Sequence, residues 1–193
     1  MPNRETSALM CDESVIHRIT ALMQTSDEEA LAALAQALQT WSGDARLYLL
    51  RGAIFASQNH PDEARMDLSR AIVLDPELDT ARFLLGYLEL TAGAPMDAIA
   101  VWGPLAATPE SALGSFAAGM IDLIEDRLSA SLAHFNHGLQ APAGSAALMP
   151  FIRSIIERTE QALNESAQTS GAQADGAIEH FLLADYLAKP TQH

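Results

Sequence analysis

The sequence lacks the features of a secreted, membrane-spanning or redox-active protein. Cys11 is the only cysteine, so no internal disulfide can form. No run of about 18 apolar residues occurs, which argues against a membrane-spanning helix, and residues 1–10 lack the apolar core of a signal peptide. We therefore expect a cytoplasmic protein.

Positive charge is also scarce. The 193 residues contain 11 Lys and Arg against 25 Asp and Glu, for a net charge of −14, and Lys189 is the only lysine. A carboxylate-rich surface repels phosphate and anionic lipid, and it attracts basic protein surfaces at low ionic strength. We therefore expect a protein partner, with no nucleic acid and no membrane.

Aromatic residues are few, and the core must be built from smaller side chains. Aromatic residues make up 6% of the chain and charged residues 19%, whereas 49% are apolar. A core made largely of Ala and Leu favours close-packed helices over sheets. The composition predicts an all-α fold.

An internal repeat organises the middle of the chain. Small and bulky residues recur first at an offset of 34 and then at an offset of 33. The three copies are Gly52, Ala64, Leu68 and Ala71; Gly86, Ala98, Trp102 and Leu105; and Gly119, Ser131, Phe135 and Gly138. Antiparallel helices pack closely where a small residue on one faces a bulky residue on the other, so each copy predicts a helix pair.

These residues resemble the tetratricopeptide repeat (TPR) family, whose unit carries W-x2-L-G-x2-Y, then A-x3-F, then a late proline. The resemblance covers Ala45 to Pro142 and implies an all-α solenoid. We expect six segments: a flexible N-terminus at 1–11, a degenerate TPR-like helix pair at 12–41, three repeats at 45–142, a capping helix at 145–164, a flexible linker at 165–176, and a C-terminal amphipathic helix at 177–188.

Three charged residues depart from the family pattern. Arg51 stands where the pattern has Leu, and Glu89 and Asp122 stand where it has Tyr. One hypothesis is a partly buried ion pair between Arg51 and Glu89 on neighbouring repeats. The alternative is that both side chains reach solvent.

Little in the sequence points to catalysis or to a cofactor. His134 and His137 lie three apart on a predicted helix, but two ligands are too few for a structural metal site, so a solvated pair is the simpler interpretation. Cys11 has no histidine or aspartate at a recognisable catalytic spacing. We expect no enzyme activity, no metal and no cofactor.

The resemblance implies a binding groove lined by the first helix of each repeat. The side chains assigned to it are Leu49, Ala53, Phe83, Tyr87, Leu90, Phe116, Met120 and Leu123. They are apolar or aromatic, which suits a hydrophobic peptide or an amphipathic helix and not a peptide carboxylate. Alternatively, the C-terminal helix fills this groove within the same chain.

The expected function is therefore a non-catalytic protein-interaction module. Its plan is similar to that of the small bacterial TPR chaperones that hold secretion-system proteins in the cytoplasm. The alternative is a structural adaptor subunit of a larger bacterial assembly. A homodimer is compatible with both hypotheses.

Overall fold

The computed structural model of the chain describes residues 10–141 and 149–169, and within these ranges it contains helices and no strand. The prediction of an all-α fold is confirmed. The helices are α1 (Glu13–Leu22), α2 (Asp27–Thr40), α3 (Ala45–Ser57), α4 (Pro61–Leu74), α5 (Asp79–Thr91), α6 (Pro95–Ala106), α7 (Ala112–Ile124), α8 (Leu128–Gln140) and α9 (Met149–Thr169). The chain divides into two compact units between Leu88 and Glu89, within α5.

The first unit begins with helices that pack in chain order. Helix α2 contacts α1 and α3, and α3 packs closely against α4. Ser26 precedes α2, and its hydroxyl accepts a hydrogen bond from the Glu29 backbone N–H at 3.3 Å, as expected for an N-cap residue. The buried apolar cluster of this unit consists of Cys11, Ile19, Ala30, Leu34, Ala37, Leu47 and Ile54.

The turns between paired helices repeat with the same offsets as the sequence. Asn59, Gly93 and Asp126, which lie 34 and then 33 residues apart, all have positive φ angles of 59°, 78° and 59°. In each turn the next N–H bonds back to a carbonyl five residues earlier: His60 to Phe55, Ala94 to Glu89, and Arg127 to Asp122, at 2.8–2.9 Å. This is the Schellman ending of a helix, and its recurrence shows that three helix-turn-helix units share one backbone design.

The first of these units shows why its glycine is needed. A Cβ atom on Gly52 of α3 would lie 3.0 Å from Cγ of Leu68 on α4. That distance is shorter than an ordinary contact between carbon atoms. The small residue therefore lets α3 and α4 approach, as the repeat pattern predicts.

The third repeat contains two such contacts between a glycine and a bulky side chain. A Cβ atom on Gly119 of α7 would lie 2.6 Å from the Phe135 ring on α8, and one on Gly138 of α8 would lie 2.5 Å from the Phe116 ring on α7. Each helix thus presents a glycine to an aromatic ring of the other. Both rings are fully buried, so these reciprocal contacts form the core between α7 and α8.

The C-terminal part of the prediction needs one correction. Helix α9 packs on α8 and continues to Thr169, five residues into the segment 165–176 that we expected to be a linker. No glycine or proline occurs between 151 and 170, so nothing in the chain ends the helix earlier. The predicted helix at 177–188 lies outside the described residues, as do residues 1–9 of the predicted flexible N-terminus.

Candidate binding surfaces

The residues assigned to the peptide groove differ in exposure. Leu49 and Ala53 lie one turn apart on α3 and are half-buried, as are Tyr87 and Leu90 on α5. The other four are buried, with 0–2% of their surface exposed: Phe83, Phe116, Met120 and Leu123. Four of the eight assigned side chains are therefore partly accessible, and four are not.

Phe116 is buried by the helix that pairs with its own. Its ring faces Gly138 on the paired helix, so it contributes to the core between α7 and α8. The motif places a side chain on one face of a helix, but the small size of Gly138 lets the ring turn into the helix contact. The prediction that the eight residues together bind a peptide stays a prediction.

Arg51 forms an ion pair, but with a different partner from the one we expected. Its Nε and Nη2 atoms donate to the two carboxylate oxygens of Asp67 at 2.7 and 2.8 Å. The hypothesis of a pair with Glu89 was wrong in its partner. Hydrogen bonding to Asp67 raises the pKa of Arg51, and burial opposes this rise only in part. The pair joins α3 to α4 inside one repeat.

The repeat register explains the position of this pair. Arg51 precedes Gly52 and Asp67 precedes Leu68, so the close approach of Gly52 to Leu68 also brings their neighbours together. In the second repeat the equivalent positions hold Leu85 and Val101, an apolar combination. Asp67 is 1% exposed, and Arg51 neutralises its buried negative charge. The first repeat thus has an ion pair at two positions where the second repeat has apolar side chains.

A second polar cluster lies in the third repeat. One Asp122 carboxylate oxygen accepts hydrogen bonds from Nε and Nη2 of Arg127 at 2.9 and 2.5 Å, and the other bonds to Nδ1 of His134 at 2.8 Å. An ionised carboxylate only accepts, so the His134 proton lies on Nδ1. Arg127 also pairs with Glu125. The cluster holds the turn between α7 and α8 against both helices.

His137 is fixed to α7 in a similar way. Ser115 donates its hydroxyl proton to the Pro109 carbonyl at 2.5 Å, so Nδ1 of His137 donates to the Ser115 oxygen at 2.9 Å. His134 and His137 are thus each bonded to α7, which the interpretation as a solvated pair did not anticipate. Within residues 10–141 and 152–164, no group of three or more potential metal-ligating side chains is arranged around a common point.

A third polar cluster anchors the start of the described chain. The fully buried Asp44 carboxylate accepts a hydrogen bond from the Cys11 backbone N–H at 2.7 Å and from Nη2 of Arg46 at 2.8 Å. Arg46 also donates to the Cys11 carbonyl at 2.8 Å and pairs with Glu13. Residue 11 is therefore held firmly, although we expected 1–11 to be flexible.

The same cluster bears on the reactivity of the cysteine. Only 4% of Cys11 is exposed. Burial is the main cause that raises the pKa of its thiol, and the neighbouring Asp44 carboxylate adds to the rise. The reactive thiolate is therefore disfavoured, which supports a packing role for Cys11.

An open groove of about 420 Å³ lies on α3 and α4. It is distinct from the predicted peptide groove, which the first helix of each repeat lines, because five of its seven lining residues belong to α4, the second helix of the repeat. The lining residues are Tyr48, Arg51, Met66, Asp67, Ser69, Arg70 and Val73. We call this surface the α4 groove.

Across the described ranges, each helix is too short or too polar to cross a lipid bilayer. No protein-family model matches the chain. The comparison with curated proteins likewise finds no match.

Proposed function

We propose that this chain is a non-catalytic protein-binding module of the TPR type, working in the cytoplasm. The observation that carries the proposal is the recurrence of one turn geometry at Asn59, Gly93 and Asp126. The 34- and 33-residue spacing of these turns matches the spacing of the packing residues, and repeat proteins of this design present side chains of successive helices to a partner.

The proposed binding surface is apolar. The half-buried side chains of Leu49, Ala53, Tyr87 and Leu90 carry no formal charge and offer hydrocarbon or an aromatic ring. Such a surface favours an apolar or amphipathic segment of a partner, held by burial of hydrocarbon at about 25 cal/mol per Å² of apolar surface. The four buried residues assigned to the groove contact the partner only if binding moves the side chains that cover them.

Photo-crosslinking in cells tests this proposal. A photoreactive amino acid at Leu49 or Tyr87 is expected to capture one partner protein through an apolar segment, which mass spectrometry identifies. The matched control carries the same amino acid at Met96, a 71% exposed apolar position on α6. Adducts that are the same from all three positions would contradict the proposal.

The identified partner then separates the chaperone from the adaptor. A chaperone client becomes insoluble when it is expressed without this chain, because its apolar segment is left in water. A fellow subunit of an assembly stays soluble alone. We propose the chaperone role, and a partner that is soluble by itself would favour the adaptor.

The C-terminal residues 177–193 supply a further test of the same surface. In the proposed mechanism the amphipathic segment 177–188 competes with the partner, so that apparent affinity falls with the fraction of molecules whose groove is open. Deleting residues 177–193 is then expected to tighten binding. Weaker binding after deletion would make the segment part of the binding site.

A further inference from the structure

The α4 groove combines exposed apolar and cationic side chains on one helix face. Met66 and Val73 are 63% and 70% exposed, and within the described residues only one other large apolar side chain, Met96, is exposed to this extent. They are seven residues apart on α4, which places them on the same face about 10 Å apart. Together they form a short apolar stripe, with the exposed Arg70 between them on the same face.

Two arginines line the α4 groove. Arg51 uses Nε and Nη2 for Asp67, which leaves Nη1 outside that pair, and its guanidinium lies 5.6 Å from the centre of the Tyr48 ring. Arg70 is exposed on α4, between Met66 and Val73. With two arginines and one aspartate the lining has a net charge of +1, in a chain whose total is −14.

We propose that the α4 groove docks an acidic amphipathic helix of a partner protein. Apolar side chains of that helix, spaced three or four residues apart, pack on Met66 and Val73, and its carboxylates pair with Arg70 and with Nη1 of Arg51. These ion pairs form at contact distance. Repulsion between the partner and the distant carboxylates of the chain is screened at physiological salt. The proposal does not depend on the predicted peptide groove on the first helices of the repeats, which we call the first-helix groove.

A second copy of the chain is a poorer occupant than an acidic helix. In a two-fold symmetric dimer the same surface meets itself, so that the positive lining would face another positive lining. Like charges placed opposite each other oppose association. An acidic partner supplies the missing charge.

A pair of synthetic peptides tests the proposal on the full-length protein. One fluorescent helical peptide of about 15 residues carries leucines three and four apart with Glu on its other face, and the matched peptide carries Lys in place of Glu. Fluorescence anisotropy at about 0.15 M salt is expected to show that the Glu peptide binds at least tenfold more tightly than the Lys peptide.

Single variants locate the binding on α4. Val73→Glu and Arg70→Gln are each expected to weaken binding of the Glu peptide by about tenfold or more, because one repels the carboxylates and the other removes their partner. Met96→Glu adds the same charge as Val73→Glu at an exposed methionine on α6 and is expected to leave the affinity unchanged. Ala53→Glu, in the first-helix groove, is likewise expected to have no effect.

Several outcomes would overturn the proposal. They include no binding of the Glu peptide at about 1 mM, equal binding of the Lys peptide, and equal weakening by Val73→Glu and Met96→Glu. A dimer in sedimentation that Val73→Glu dissociates would assign the groove to a second copy. Binding that appears only after residues 177–193 are deleted would assign it to this chain's own C-terminal segment.

Discussion

Replacing Gly119 by alanine tests one of the two close contacts between a glycine and an aromatic ring in the third repeat. The new Cβ atom would lie 2.6 Å from two atoms of the Phe135 ring, and that ring is fully buried. Carbon atoms are comfortable at about 3.5 Å or more, so the ring or a helix must move by about 1 Å. A buried aromatic ring has little room for such a movement.

The matched substitution is Gly52→Ala in the first repeat. There the new Cβ atom would lie 3.0 and 3.2 Å from two atoms of Leu68 and 3.3 Å from Cβ of Asp67, so a shift of a few tenths of an ångström is enough to relieve the contact. Both substitutions place alanine in a helix and gain about 1 kcal/mol of helix propensity. The difference between the two variants therefore isolates the steric cost.

The expected magnitudes follow from these opposing effects. Overpacking at Gly119 costs about 1–3 kcal/mol before the propensity gain is subtracted, whereas Gly52→Ala is expected to change stability by less than about 1 kcal/mol. Urea unfolding followed by far-UV circular dichroism measures both free energies. The two glycines lie in different compact units. If the units unfold in separate transitions, each substitution shifts the transition of its own unit.

A double-mutant cycle shows whether the Phe135 ring causes the loss. Gly119→Ala combined with Phe135→Leu is expected to cost less than the sum of the two single changes, by about 1 kcal/mol. Additive effects, or a Gly119→Ala variant as stable as Gly52→Ala, would refute the account of the helix contact.

Three further substitutions test other parts of the structure by urea unfolding. Arg51→Leu alone is expected to destabilise the chain by about 1–3 kcal/mol because it strands a buried carboxylate, whereas adding Asp67→Val should restore most of the loss; a double variant no better than the single one would contradict this. Gly93→Ala is expected to cost about 1 kcal/mol through its positive φ alone, since its Cβ would meet no atom within 4 Å, and Gly93→Asn should cost less. Burial raises the pKa of Asp44, but hydrogen bonds from Arg46 and Cys11 outweigh it and lower that pKa below its usual value. The stability difference between wild type and Asp44→Asn should therefore be present at neutral pH and shrink below about pH 4; a difference that stays constant at low pH would contradict the assignment.

The repeat pattern predicts the local packing well because the small and bulky residues that set it lie close together in sequence. Gly52 and Leu68 are 16 residues apart, and the contact between them follows from the motif alone. The pairing of Arg51 with Asp67 was within reach of the same reasoning, because each residue precedes a member of that contact. We predicted Glu89 as the partner of Arg51 because both residues depart from the family pattern.

Other features depend on contacts that no local pattern contains. The anchoring of Cys11 needs the Asp44 carboxylate, which lies 33 residues away and belongs to the start of α3. The burial of Phe116 depends on the space left by Gly138 on the next helix. A motif predicts the direction of a side chain, and the neighbouring helix decides whether that side chain stays exposed.

The most direct test of the proposed function is a calorimetric titration of the partner segment that crosslinks to Leu49 or Tyr87. We expect one segment to bind per chain with a negative heat-capacity change, because apolar surface is buried. Ala53→Glu should weaken this binding by at least tenfold, and Met96→Glu should leave it unchanged. An affinity that is insensitive to Ala53→Glu, or a heat-capacity change near zero, would contradict the proposal that the first helices form an apolar binding surface.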